Sequence, residues 1–323
     1  MKEIKVQDAI GQILCHDITQ IIRGVTKDAR FRKGHVITAE DIPELLKLGK
    51  ENIFVWENDE TKLHENDAAQ ILRGLTQGEN LSATDVKEGK IELKAAYDGV
   101  FHVDANKLNA VNEVEEICVA TLQNRIPVRR GKSVAGMRVI PLVIDKAKME
   151  RVKEIAGELP LMKVVPYKKF KVGLVVTGSE IFHGRIDDTF TPVIEAKLKT
   201  FGLQVDGRKI SDDSKEMTCE KILELLDGGA DLILCTGGMS VDPDDRTPAA
   251  IKSTGAEVVT YGVPVLPGAM FMLAYLGDVP IMGLPGCVMF CSRTVFDLVL
   301  PRIVTGERLT RHDFTMMGVG GLL

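Results

Sequence analysis

No apolar run in this sequence approaches the roughly 18 residues of a membrane span. The opening Met1-Lys-Glu-Ile-Lys-Val-Gln-Asp8 lacks the apolar stretch of a signal peptide. Positive charge is also short: a net charge of −5 argues against nucleic acid as the main partner, because phosphate backbones select basic surfaces. An anionic small ligand stays open, since backbone N–H groups bind anions whatever the net charge. The six cysteines show no CxxC spacing, so neither a disulfide framework nor a zinc site is indicated. Cys287 and Cys291 could share a helical face, but two thiols alone make a poor metal site, and buried free thiols are expected. The histidines, six in all, show no paired metal-ligand spacing. Neither GxxxxGK[ST] nor a tight GxGxxG occurs, so a P-loop NTPase or dinucleotide enzyme is unsupported. These absences lead to the expectation of a cytoplasmic protein with a small-molecule partner and neither nucleic acid nor membrane.

What is present is an ordinary globular composition, 45% hydrophobic and 27% charged, in 323 residues. That length predicts two or three domains. Residues 1–61 read as a small α+β module. Ile10 to Leu14 is strand-like, Thr38 is placed to cap a helix over Ala39 to Leu48 with Gly49 as its stop, and Ile53 to Trp56 closes the module as a strand. Residues 62–168 read as a β-rich middle domain. A helix over His64 to Leu75 precedes short alternating runs at 89–94, 99–103, 116–120 and 137–143. Within it Val128-Arg-Arg-Gly-Lys132 is a basic cluster, read as a solvated loop or an oxyanion contact. A linking helix is expected over Met149 to Leu159, ended by Pro160.

Residues 169–305 show a β-α-β-α pattern, which predicts an open, mainly parallel sheet with helices on both faces. Strands are expected at 171–176, 203–210, 231–236 and 280–284. One helix is expected with Thr191 as its cap and Pro192 at its first position, and others from Ser214 to Leu226, over 247–253, and from Pro285-Gly286 to about Val304. Residues 306–323 remain as a C-terminal tail. In such a sheet the crevice beyond the carboxyl ends of the strands is where ligands bind. Three strands deliver Thr177-Gly-Ser-Glu180, Asp212-Asp213 and Thr236-Gly-Gly-Met-Ser240 to that edge. Glycines let backbone approach a ligand closely, and adjacent N–H groups can cradle a phosphate, with the Ser240 hydroxyl as a further donor. Asp242-Pro-Asp-Asp245 then sets carboxylates beside the phosphate, which makes sense if a divalent cation lies between them. A Gly-Gly turn is by itself usually just a turn, and Asp-Asp before a helix usually a cap. Their convergence on one edge is what argues for a ligand.

Five ordered motifs carry a family resemblance. They are Val176-Thr-Gly-Ser-Glu-Ile181, Gly184 to Asp188, Ile210-Ser-Asp-Asp213, Thr236-Gly-Gly-Met-Ser-Val241 with Asp245, and Leu284-Pro-Gly286. The stretch from about 170 to 304 resembles the molybdopterin-binding domain shared by molybdenum-insertion enzymes and molybdopterin adenylyltransferases. Upstream, Asp8-Ala-Ile-Gly-Gln-Ile-Leu14, Gly131-Lys-Ser-Val-Ala-Gly136 and Pro141-Leu142 resemble the bacterial molybdopterin molybdotransferase less closely. The resemblance implies catalytic roles for Glu180, Asp213 and Asp245, with Asp213, Asp244 and Asp245 nearest a Mg²⁺. It implies that Gly237, Gly238 and Ser240 hold the molybdopterin phosphate, with Thr177, Gly178, Ser179, Pro285 and Gly286 completing the pterin site. The reaction implied takes adenylylated molybdopterin and molybdate and releases AMP and molybdenum cofactor. A homodimer, and a molybdoenzyme or adenylyltransferase as partner, are implied with it.

The chain departs from that family in three places. Asp188-Thr189-Phe190 replaces the usual Asp-Thr-Asn. Leu266-Pro267-Gly268-Ala269-Met270 replaces Lys-Pro-Gly-Lys-Pro, and Leu284-Pro285-Gly286-Cys287-Val288 replaces Leu-Pro-Gly-Asn-Pro. Two cations suited to molybdate and phosphate are lost, unless Arg129, Arg130 or Arg246 reaches the pocket. The family's extra C-terminal β domain has no counterpart in residues 305–323. Asp244 to Pro248 is closer to the adenylyltransferases. The alternatives are therefore a non-catalytic carrier, sensor or molybdoenzyme partner, and an adenylyltransferase. Cys287, at a helix start, is read either as a stabilised thiolate or as an apolar loop contact.

Overall fold

The computed structural model describes residues 2–55, 59–242 and 245–323. The chain folds as two compact units, one of Met1–Tyr97, Phe101–Asn124 and Val128–Val164, the other of Asp98–Val100, Arg125–Pro127 and Val165–Leu323. Among the described residues no helix is long and apolar enough to cross a membrane.

In the first unit, strand Lys2–Lys5 pairs antiparallel with Asn52–Val55, and helix Asp41–Lys47 packs Leu45 onto a core with Val6, Leu14, Phe31 and Ile53. The expected strand end at Trp56 lies outside the described residues. Ile10 to Leu14 forms only isolated bridges at Ile13 and Leu14. The helix begins at Asp41 rather than Ala39, because the Asp41 carboxylate accepts from the Thr38 N–H (2.8 Å) and hydroxyl (2.9 Å). Thr38 is thus a donor to the helix start, not its cap. Further on, strands Leu81–Ala83, Ile91–Ala95, Ser133–Val139 and Ile117–Thr121 form an antiparallel sheet in that order. Helix Glu65–Thr76 buries Ala68, Ala69 and Leu72. The linking helix spans Lys146–Ala156.

His64 caps the start of Glu65–Thr76. Its Nδ1 accepts from the Asn66 N–H at 3.1 Å, and its Nε2 donates to the Cys15 carbonyl at 2.8 Å. Both bonds are met only by the neutral ring protonated at Nε2. Burial pushes the imidazole down from its ordinary value, outweighing the carbonyl bond that raises it. The unfolded chain therefore binds the proton more readily, and stability falls as pH drops below about 6.5 through the folded-state value. Urea denaturation between pH 8 and 5 is expected to show this slope. His64→Asn, which keeps a cap of the ordinary kind worth ~1 kcal/mol, is expected to flatten it; an unchanged slope would assign the titration elsewhere.

The second unit is an open six-stranded sheet. Strands β1 (Val172–Thr177), β2 (Val205–Ser211), β3 (Leu232–Thr236), β4 (Glu257–Tyr261), β5 (Met272–Leu276) and β6 (Val279–Leu284) stand in the order β2-β1-β3-β6-β5-β4. Helices α1 (Ser179–Phe182) and α2 (Phe190–Lys199) follow β1, α3 (Lys215–Asp227) follows β2, and α4 (Thr247–Ser253) follows β3. After β6 come α5 (Val295–Ile303) and α6 (Arg311–Thr315). β1 runs parallel to β2 and β3, and β3 to β6. Every residue of β1 is buried, as a strand covered on both faces requires. Leu174 and Val176 share a core with Ile194 and Leu198 of α2 and Phe296 and Val299 of α5. Val175, between them, joins Ile222 and Leu225 of α3 and Ile251 of α4 on the other face.

One feature extends the mainly parallel sheet beyond the expected strands, and two local features differ from expectation. β5 runs antiparallel to β6 and β4, because only Gly277-Asp278 joins Leu276 to Val279, far too little chain for a parallel crossover. The α2 cap is Asp188, not Thr191: its carboxylate accepts from the N–H groups of Phe190 (2.9 Å) and Thr191 (3.0 Å), and Arg208 pairs with it at 2.7 Å. The long helix expected after Pro285-Gly286 is broken. A single 3₁₀ turn covers Gly286–Met289, and α5 starts afresh at Val295 on a capping box between Thr294 and Asp297 (2.8 Å from the Thr294 N–H).

Candidate functional site: the loops at the carboxyl ends of the parallel strands

β1 and β3 end side by side, and their loops are bound to each other. The Thr177 hydroxyl donates to the Thr236 carbonyl at 3.0 Å. From the start of α4, the Thr247 hydroxyl donates to the Gly237 carbonyl (2.9 Å) and its N–H to the Gly238 carbonyl (3.1 Å). Gly237 sits at φ +86°, and a Cβ there would lie 2.5 Å from the Thr177 carbonyl oxygen. The carbonyls of this loop are thus engaged. Its N–H groups are not: among the described residues nothing accepts from the N–H of Gly238, Met239 or Ser240. Successive free N–H groups in a left-handed glycine loop form an anion-binding concavity.

That loop walls a cavity of about 410 Å³ with Gly237, Gly238, Met239, Ser240 and Asp245 on its surface. Gly268, Ala269, Met270, Pro285, Gly286 and Cys287 also line it. The structure therefore brings together Gly237, Gly238, Ser240, Asp245, Pro285 and Gly286. The segment 268–270 joins them, and its signal in the sequence was the altered Leu266-to-Met270 motif. Its position is set from the chain's last residues, where Leu266 N–H donates to Gly321 O (2.7 Å) and Leu323 N–H to Leu266 O (2.8 Å). A cavity of about 390 Å³ on the four-stranded sheet of the first unit, lined by Ala120, Gly136 and Cys118, gathers none of these loops.

The remaining acidic residues sit differently. Asp213 accepts from the Ser179 N–H at 2.9 Å and so fastens the 177–180 loop; neither it nor Glu180 lines the cavity. Thr177, Gly178 and Ser179 do not line the cavity, and Thr177 packs behind its Gly237. Asp244 lies outside the described residues. Among the described residues no three His, Cys, Asp or Glu side chains converge as a metal-ligand group. No lysine or arginine among the described residues lines the cavity either: Ala269 is on its wall, Arg246 is the residue before α4, and Arg129 and Arg130 belong to the first unit. Burial, with Cys291 adding to it, pushes the Cys287 thiol up, which favours the thiol over the thiolate. Among the other free cysteines Cys15 and Cys235 are buried, and burial holds Cys235 up at about 12. Cys118 is exposed rather than buried, because it falls on the outward register of its strand.

Residues 173–305 match the family described as a probable molybdopterin binding domain, and residues 3–57 match a domain of unknown function. A molybdopterin molybdenumtransferase of Staphylococcus epidermidis is 32% identical over 315 residues, covering 91% of this chain and 68% of its own length. The Haemophilus influenzae protein of the same name is 23% identical over 311 residues, covering 93% and 71%. Among solved structures, a molybdopterin biosynthesis protein from Pyrococcus horikosii covers 94% of this chain and 74% of its own at 14% identity, with a TM-score of 0.36. A molybdopterin biosynthesis enzyme from Thermus covers 43% and 98% at 24% identity, with a TM-score of 0.35. An alignment of that identity running through nearly the whole sequence, across both units, settles the kinship: the chain belongs to the molybdopterin molybdenumtransferase family.

Proposed function

We propose that the second unit binds molybdopterin with its phosphate on the 237–240 loop, and that the chain inserts molybdate into adenylylated molybdopterin, releasing AMP. The observation that carries the reading is the run of N–H groups at Gly238, Met239 and Ser240 that meet no acceptor among the described residues, in a loop lining a cavity that also holds Asp245. Backbone donors hold a phosphate without a cationic side chain, which is what a cavity walled by Ala269, Met270 and Cys287 demands. Mg²⁺ fits this donor set in its usual manner, one carboxylate plus substrate phosphate oxygens rather than a protein cage. Asp245 would hold it, and the ion would neutralise phosphoryl charge. Asp213 and Glu180 act through the 177–180 loop that Asp213 fastens, behind the Gly237 wall. The homodimer and the cytoplasmic setting belong to the same proposal.

A second reading, a molybdopterin carrier without turnover, is favoured by the alanine on the wall at position 269. Single-turnover conversion of adenylylated molybdopterin with molybdate and Mg²⁺ separates the two. For the insertase, AMP release depends on molybdate and Asp245→Asn slows it at least tenfold, on the order of one lost charge interaction, while pterin binding changes little. Pterin binding with no AMP release would mean the carrier. No pterin binding at all would remove both readings.

A further inference from the structure

Tyr261 ends β4, the edge strand of the sheet, with β5 and β6 between it and β3. Its side chain nevertheless returns to the loop after β3. The phenol hydroxyl donates to the Met239 carbonyl at 3.1 Å and has the Ser240 carbonyl at 3.5 Å. Within a planar trans peptide the N–H points opposite to the C=O. The single phenol proton goes to the nearer carbonyl, that of Met239, and holding it sets the direction of the next N–H, that of Ser240, away from the phenol. The Thr247 hydroxyl and N–H do the same for the carbonyls of Gly237 and Gly238. The carbonyls of Gly237, Gly238 and Met239 are thus held from outside the loop, two by Thr247 and one by Tyr261. Burial raises the Tyr261 phenol and the Asp245 charge adds to it, so the hydroxyl keeps its proton and remains a donor.

We propose that Tyr261 is a positioning residue for the anion cradle, aiming the Ser240 N–H at the phosphate of the bound pterin through the Met239 carbonyl. The proposal rests on the molybdopterin-binding reading above and deepens it. It assigns the far strand of the sheet a part in recognising the phosphate and none in recognising the pterin ring.

The test titrates molybdopterin, and the same pterin stripped of its phosphate, against the full chain, Tyr261→Phe and Tyr275→Phe. Tyr275 is the matched control, because its hydroxyl accepts from the Leu309 N–H at 3.0 Å and touches no part of the loop. Tyr261→Phe is expected to weaken molybdopterin about three- to tenfold, the scale of one net hydrogen bond, and to leave the phosphate-free pterin unchanged. Tyr275→Phe is expected to leave the ratio of the two affinities at the wild-type value, whatever it does to the unfolding midpoint. Equal losses for both pterins in Tyr261→Phe, or no loss for either, would overturn the proposal. So would a wild-type chain that binds the two pterins equally. A wild-type chain that binds neither would instead overturn the molybdopterin reading itself.

Discussion

Gly237→Ala is expected to reduce molybdopterin affinity at least 100-fold and to destabilise the second unit by about 2–5 kcal/mol. At φ +86° an L side chain pays about 1–2 kcal/mol for the left-handed backbone alone. The added Cβ would also lie 2.5 Å from the Thr177 carbonyl oxygen and 2.6 Å from its hydroxyl. Thr177 cannot retreat, since it is the buried end of β1 and its hydroxyl is bonded to Thr236. Relieving such overlap in a packed site typically costs about 1–3 kcal/mol more. The loop must therefore shift, and losing two hydrogen bonds to a charged phosphate, at about 1.5–3 kcal/mol each, costs on the order of 10²-fold or more in affinity. Gly255→Ala is the control: its φ is +84° but nothing lies within 4 Å of the added Cβ. It is expected to cost only the backbone strain and to leave ligand affinity unchanged. Isothermal titration and thermal unfolding of the two variants check both halves. Equal affinities would show that the loop is not the phosphate site.

Arg302→Met is expected to destabilise the second unit by about 3–5 kcal/mol near neutral pH, the usual cost of removing one partner of a buried ion pair. Arg302, only 4% exposed, holds Glu307 through two hydrogen bonds (2.8 and 2.7 Å) and Asp313 through a third (2.6 Å). Without it the two carboxylates keep Arg125 as a shared partner. Burial alone would raise the Asp313 carboxyl, but the Thr310 hydroxyl and N–H, Arg302 and Arg125 together hold it well below the usual carboxylate range. A carboxyl lowered by folding contributes stability above its unfolded value, about 3.9, and loses it as pH falls through the folded one. The gap between wild type and Arg302→Met is therefore expected to be widest near pH 7 and to narrow below about pH 4. Guanidinium denaturation at pH 7, 4 and 3 measures it; a gap that stays constant would mean that Arg302 acts through packing alone.

The same network shows where reading the chain residue by residue falls short. Residues 306–323 look like a tail, with no periodicity to mark a role. In the structure Phe314 lies against Phe271, Arg302 ties down Asp313, and Leu323 bonds Leu266 next to the cavity wall. Such pairings are set by where α5 ends in space, and nothing local in the 306–323 segment announces them. Likewise β4 and β5 carry no clean alternation, so the antiparallel extension, and Tyr261 with it, stays hidden until Gly277-Asp278 is seen as a hairpin. At Asp188, cap preference pointed to the Thr191 hydroxyl, whereas the carboxylate three residues earlier is the stronger acceptor and wins.

By itself the sequence determined the central parallel strands, because a strand buried on both faces must be an unbroken apolar run, as Val172 to Val176 and Leu232 to Cys235 are. It also singled out the loop proposed here for the phosphate, since Gly237-Gly238 directly after such a strand is the cheapest backbone for close approach to a ligand. The family followed from those motifs in order. Only the tertiary structure decided which site residues share a surface. It set Asp245 and Ala269 on one cavity with the glycines, and Asp213 and Glu180 off it. Strand-end position places a residue at the sheet edge, but whether its side chain meets ligand or a neighbouring loop depends on hydrogen bonds formed across residues far apart in the chain, such as Asp213 with Ser179 and Tyr261 with Met239.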